Sequence, residues 1–264
     1  MPNKNGHDDS ENQNVTRFPD PRERREIEHR LRAANDRADP KREPILNLPP
    51  AVKYLCLALI IPQALIQMLE WAPEDWHGIA IINWLIENFS FILLRYSGEM
   101  SLGWQGLVSP VTYMFLHGGW VHLVVNVLTL ASFGSGFERF LGGKRLVVIF
   151  MTTGVIGAFT QFAALLLYGA LGETLPHADA PLIGASGGIS GVVGATLLLL
   201  QEKGLMGEKG KFPVGMIIFL ASFLLLGFFG MPGVSQPIAW VAHLGGFVAG
   251  LLLYRPVARS KIFG

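Results

Sequence analysis

The feature that most constrains this chain is a change of character near residue 50. Before it, "MPNKNGHDDSENQNVTRFPDPRERREIEHRLRAANDRADPKREP" holds almost no large apolar side chain; after it, Leu, Ile, Val, Phe and Gly dominate. A helix needs roughly 20 apolar residues to cross about 30 Å of hydrocarbon. Six segments beyond the boundary meet or approach that length: 51–70, 120–137, 146–169, 185–200, 212–230 and 238–255. Polar, Gly and Pro punctuation separates them at "ERFLGGKR", "LGETLPHADAP", "QEKGLMGEKGK" and "MPGVSQP". With 50% of 264 residues hydrophobic and only 16% charged, the chain is more apolar than a soluble core of this size requires. The expected fold class is an all-α, polytopic membrane protein with six transmembrane helices.

One more apolar stretch, "WHGIAIINWLIENFSFILLRYSG" (76–98), carries Asn83, Glu87 and Asn88 and reads as interfacial or re-entrant. The distribution of cations tests that reading, because cytoplasmic loops are rich in Lys and Arg. With six spans, the tail, the 138–145 loop, the 201–211 loop and the C-terminus share one side and carry ten, three, three and three. Lys53 brings that side to 20 of the 21, leaving only Arg95 outside. A seventh span would abolish the asymmetry. We therefore expect both termini in the cytoplasm, with the protein in a bacterial inner membrane. The expected domains are a polar, disordered or loosely helical cytoplasmic tail (1–50), a six-helix membrane domain (51–257) and a short cytoplasmic C-terminus (258–264).

The tail's ten Lys/Arg are cancelled by ten Asp/Glu, which argues against a nucleic-acid-binding arm or a polybasic lipid anchor. No basic n-region followed by an apolar core opens the sequence, so the first apolar segment is expected to insert uncleaved. The single cysteine, Cys56, lies in an apolar run and is expected to be inert.

Ionisable and polar side chains inside spans are costly and so mark function. "GASGGISG" (184–191) places Ser186 in a G-x-S-x-G pattern, which in soluble hydrolases presents a nucleophile on a strand-to-helix elbow. Small residues that let helices pack closely are the plainer explanation of such a run. Ser186 opens the fourth span and His243 lies about five residues into the sixth, both within about 10 Å of the outer boundary at 1.5 Å per residue. His122 and Asn126 open the second span at the same end, on one helical face by their i, i+4 spacing. Taken singly, the serine reads as helix glue and each histidine as solvated or packed. Four polar groups at one level on three helices point to chemistry instead.

Gly187 and Gly191 on the fourth span and Gly246 and Gly250 on the sixth each form a small-x-x-x-small pair that permits close approach. A serine within reach of a histidine base, with His122 and Asn126 as oxyanion donors, has the parts for acyl transfer. The soluble elbow fits less well, because the only acids between Ser186 and His243 are Glu202 and Glu208, in the inner loop. A Ser–His dyad is the expectation. No metal or organic cofactor is expected, since H-E-x-x-H is absent and no acid lies near His122 or His243.

Over roughly residues 100 to 255 the chain resembles the rhomboid intramembrane serine proteases. The matching signatures are "FLHGGWVHLVVN" (115–126), "FGSGFERFLG" (133–142), "GASG" (184–187) and "AHLGGFVAG" (242–250). The resemblance implies a rhomboid-type six-helix bundle with Ser186 as nucleophile, His243 as base and then acid, and His122, Asn126 and the Ser186 N–H as the oxyanion hole. It implies that residues 76–110 form a membrane-embedded first loop. It also implies single-span membrane proteins as substrates, entering between the second and fifth helices, where Phe219, Phe223, Phe228 and Phe229 are candidates for a gate, with a phenylalanine-rich lipid face as the plainer reading for most of them. The expected partners are those substrates and the lipid bilayer, without nucleic acid; oligomeric state is left open.

Two positions depart from the family pattern. Val108-Ser109 stand where many members have Trp-Arg, the nearest tryptophan being Trp104, followed by Gln105. Ser190 stands where many members pack an aromatic ring on the histidine. Glu138 and Arg139 are expected to tie the second helix to its loop, and His117 and His177 to face outer water. A catalytically silent relative would lack the serine or the histidine; a solute transporter would show mid-membrane charges and an inverted repeat, and neither is visible.

Overall fold

A computed structural model describes residues 20–37, 47–174, 180–206 and 239–262. The chain divides into two units, Met1–Asn47 and Leu48–Gly264. In the first, helix α1 (Pro21–Arg37) starts at a reciprocal cap: Asp20 Oδ1 accepts the Arg22 and Glu23 N–H groups, and Glu23 Oε2 accepts that of Asp20.

The second unit comprises α2 (Pro50–Glu70), α3 (Gly78–Phe89), α4 (Leu94–Ser97), α5 (Gln105–Thr112), α6 (Trp120–Thr129), α7 (Ser135–Leu141), α8 (Gly143–Ala170), α9 (Ser186–Glu202) and α10 (Trp240–Arg259). Among the described residues, four helical stretches are long and apolar enough to cross a membrane: α2, Trp120–Leu141, α8 and α10. The second runs on through α7 because a wider turn at Leu130–Gly134 joins α6 to α7 without a break. α9, with 17 residues, is roughly 25 Å long. The 212–230 segment and its phenylalanines lie outside the described residues.

The 76–98 stretch is not one helix. Its longest piece, α3, has 12 residues, or roughly 18 Å, well short of a crossing. The chain then turns at Ser90, and Phe91 pairs antiparallel with Leu182, each N–H bonding the other's carbonyl at 3.0 and 2.9 Å. That bridge satisfies backbone groups of the segment leading down to Ser186, which non-helical chain at membrane depth requires. Arg95, 7% exposed, stitches this loop by donating to the Glu87 and Ser101 carbonyls. The Tyr96 hydroxyl bonds the Gly106 carbonyl, Gln105 bonds Asn88, and Thr112 bonds the Phe89 carbonyl. Where the family's Trp-Arg is missing, this set of bonds holds the loop.

Side-chain bonds sort the helix ends. Trp120 Nε1 donates to Gln67 Oε1, so the end of α2 meets the start of α6 at the same level as the starts of α9 and α10. At the far end, Arg145 donates to the Val257 and Ser260 carbonyls, and Tyr254 and Arg255 bond Glu202. The described cations of this unit, Lys53, Arg139, Lys144, Arg145, Lys203, Arg255, Arg259 and Lys261, all belong to helix ends or turns at the far end; Arg95 belongs to the first loop, at the opposite end.

Glu138 does something other than brace its own loop. Its two carboxylate oxygens accept the Ala51 and Val52 N–H groups at 2.9 and 2.8 Å, capping α2 from a neighbouring helix. Pro49 cannot provide a side-chain cap, so α2 borrows one. Glu138→Ala is expected to lower stability by roughly 2–3 kcal/mol, because two donors lose a charged acceptor. Reversible unfolding in mixed micelles measures it, and an unchanged midpoint would show that the cap contributes nothing.

The core lies between α8, α9 and α10. A Cβ on Gly246 would collide with the Gly187 carbonyl oxygen, and one on Gly250 with that of Gly191. On the other side of α9, a Cβ on Gly188 would lie 2.6 Å from the Phe150 carbonyl oxygen. The expected glycine pairs thus face each other, and α9 is held backbone to backbone against both neighbours.

Candidate active site

Ser186 is the first residue of α9, and its Oγ lies 2.6 Å from Nε2 of His243. The short side chain reaches the imidazole because Gly187, next in sequence, lets α10 approach through Gly246. The first N–H groups of α9 have no acceptor within the helix, and its positive dipole end faces the serine. The hydroxyl that bonds back to its own helix, the plain fate of a membrane serine, belongs to Ser190: its Oγ donates to the Ser186 carbonyl at 2.7 Å, and its side chain is fully buried. A hydroxyl therefore occupies the place of the family's ring and steadies the first turn of α9.

His122 and Asn126 follow one face of α6. The Gly118 N–H points at His122 Nδ1 at 3.4 Å, which leaves the ring proton on Nε2. That Nε2 rests against Gly184: a Cβ there would lie 2.7 Å from it and 3.9 Å from Asn126 Nδ2. Gly184 also has φ of +115°, so two constraints select glycine two residues before the serine. Asn126 is 4% exposed, and its Nδ2 has no hydrogen-bond partner among the described residues. A buried, unsatisfied amide donor costs about 1–3 kcal/mol, and such a cost is often borne at functional sites.

His117 differs from expectation. It is 5% exposed rather than solvated, its ring edge-on to His122 with centroids 5.2 Å apart. Burial first, and the neighbouring His122 second, push its pKa down to about 3, so it is neutral at physiological pH. His177 lies outside the described residues. Glu202, the described acid between Ser186 and His243 in sequence, bonds Tyr254 and Arg255 at the far end. Among the described residues no group of three His, Cys, Asp or Glu side chains could hold a metal ion.

Reading the sequence missed one neighbour. Gln161 on α8 accepts the Ala242 N–H at 3.2 Å through Oε1, anchoring the first turn of α10 beside His243. An amide inside an otherwise apolar span was the available signal. A Cβ on Gly157, one turn earlier on α8, would lie 2.8 Å from the Ala242 carbonyl oxygen, so α8 braces the base from behind.

A bundle of membrane-length helices with a serine and a histidine in contact near one end defines a class of membrane-embedded hydrolase-like sites. The Rhomboid domain family model matches residues 104–260, more than half of the chain. The Bacillus subtilis protein named "Putative rhomboid protease YdcA" is 30% identical over 209 residues, 79% of this chain and 88% of that protein. The rhomboid protease GlpG of Serratia proteamaculans is 32% identical over 148 residues, 54% of this chain and 45% of that one. The rhomboid protease GluP of Bacillus subtilis is 28% identical, over 56% of this chain and 25% of its own length. This chain belongs to the rhomboid family and is an integral membrane protein.

Proposed function

We propose that the chain is an intramembrane serine endopeptidase that cuts single-span membrane proteins in or near their transmembrane segment. The observation that carries this is the 2.6 Å contact between Ser186 Oγ and His243 Nε2. With its proton on Nδ1, His243 takes the hydroxyl proton as Oγ attacks the scissile carbonyl carbon. The oxyanion is held by the His122 Nε2–H, the Asn126 amide and the Ser186 N–H. His243 then protonates the departing amine, and a water, activated by the same ring, hydrolyses the acyl-enzyme. The pair works as a dyad, with no carboxylate as third member.

We further propose the six-helix arrangement, with 212–230 as the fifth span, and the division into a cytoplasmic tail (1–50), a protease domain (51–257) and a cytoplasmic C-terminus (258–264). The gathering of cations at the far end supports placing that end at the cytoplasmic face of a bacterial inner membrane. Retention of both serine and histidine favours a working protease over a silent relative.

Fluorophosphonate labelling tests the function. Wild-type protein in proteoliposomes should be labelled on Ser186, and a chain that takes no label would overturn the proposal. Asn126→Ala should slow cleavage roughly 10- to 1000-fold, the range for a single oxyanion donor. The loss should fall on kcat; an unchanged kcat would remove Asn126 from the oxyanion hole.

A further inference from the structure

The far end of the bundle carries a cleft that the proposed chemistry does not use. It measures about 590 Å³ and opens between α2, α7 and α8, its rim formed by Pro50, Glu138, Gly143 and Lys144. Its wall is formed by Tyr54, Val147 and Val148. These lie about one turn in from the helix starts, roughly 6 Å at 1.5 Å per residue. The lining therefore passes from charged to apolar over the distance that separates a lipid headgroup from its first methylenes. Tyr54 is 68% and Val147 37% exposed, surfaces that need an apolar partner in a folded membrane protein.

The charges at the rim are unequal in availability. Both Glu138 oxygens are occupied by the Ala51 and Val52 N–H groups. Lys144 has no ion pair or hydrogen bond among the described residues, and neither has Lys53, an exposed residue on the first turn of α2. With both oxygens of the one lining carboxylate engaged, Lys144 is the available charge of the rim, and Lys53 stands on the same first turn of α2 as the lining residues Pro50, Ala51 and Tyr54. A second cleft, about 400 Å³ between α8 and α10, provides the contrast: its walls are apolar, and its one hydroxyl, Thr160, bonds the Ile156 carbonyl. That cleft could accommodate acyl chains without distinguishing headgroups. The one at Lys144 could do both, as basic pockets between transmembrane helices at the cytoplasmic face do.

We propose that this cleft binds an anionic phospholipid of the inner leaflet, its phosphate on Lys144 with Lys53 nearby and its acyl chain along Val147 and Val148. The inner-leaflet assignment rests on the orientation proposed above; the binding itself does not.

Native mass spectrometry of the full chain from nanodiscs containing phosphatidylcholine and phosphatidylglycerol tests it. The chain should retain phosphatidylglycerol in preference to phosphatidylcholine. Lys144→Gln should weaken that retention about fivefold, the contribution of one lysine near a lipid surface, while Lys261→Gln, at a cation of the same end that does not line the cleft, should leave it unchanged. Val147→Phe, which fills the wall and keeps both lysines, should also abolish the preference, and added inorganic phosphate should not displace the lipid. Equal retention of the two lipids, equal loss in Lys261→Gln, or displacement by phosphate would overturn the site. Nanodisc leaflets are identical, so this readout is independent of orientation. Labelling of Lys144→Cys by an impermeant maleimide from outside intact cells would overturn the inner-leaflet assignment alone.

Discussion

Ser186→Ala is expected to reduce cleavage of a single-span substrate in proteoliposomes to background, a loss of roughly 10⁴- to 10⁶-fold, and to abolish fluorophosphonate labelling. The side chain removed is one hydroxyl, and the packing around it is made by the backbone of Gly187 against Gly246, so the fold should survive intact. His243→Ala should be as damaging, because the serine alone is a weak nucleophile at neutral pH. The double variant should be no worse than either single one, since two groups that act as a unit lose their effect together. Substantial cleavage by either single variant would refute the dyad, as would a double variant whose losses add.

Gly246→Val is expected to lose at least roughly 100-fold in kcat/KM while Gly169→Ala keeps wild-type activity. A Cβ at Gly246 would strike the Gly187 carbonyl oxygen, a backbone atom one residue from the nucleophile that cannot swing aside. The valine must push α10 away from α9, and a displacement near 1 Å between reacting groups costs on the order of 100-fold. Overpacking should also lower stability by roughly 1–3 kcal/mol. At Gly169, also on a membrane helix, a Cβ would meet nothing within 4 Å, so the comparison separates crowding from the mere loss of a glycine. Activity measured in both, with midpoints of unfolding, decides it. Equal activities would show that the close crossing does not position His243.

Much of this is legible in the sequence. Hydrophobic length picked out α2, Trp120–Leu141, α8, α9 and α10 to within a few residues, because the cost of exposing backbone to lipid makes long apolar runs helical. The polar exceptions, Ser186, His243, His122 and Asn126, stood out because lipid makes each of them expensive. Other polar residues escaped notice for a physical reason. Arg95 looked like an outlier in a charge count, yet its burial and its bonds to Glu87 and Ser101 depend on how α3 and α4 fold back. His117 looked solvated because its burial is made by neighbours distant in sequence. Glu138 lies beside its own loop in sequence, but the N–H groups it accepts are 86 and 87 residues away.

The sequence alone determined which segments could be helices, which end of each carries the cations and which polar residues share a level, since all three follow from composition and rise along one chain. Only the tertiary structure decided that Gly187 meets Gly246 and Gly191 meets Gly250, that Gly184 rests against His122, and that Ser186 reaches His243 at 2.6 Å. Periodicity places residues on a face but not the faces against each other. Contact of a few ångströms between helices depends on side chains that are absent, and only the packed backbones show what those absences allow.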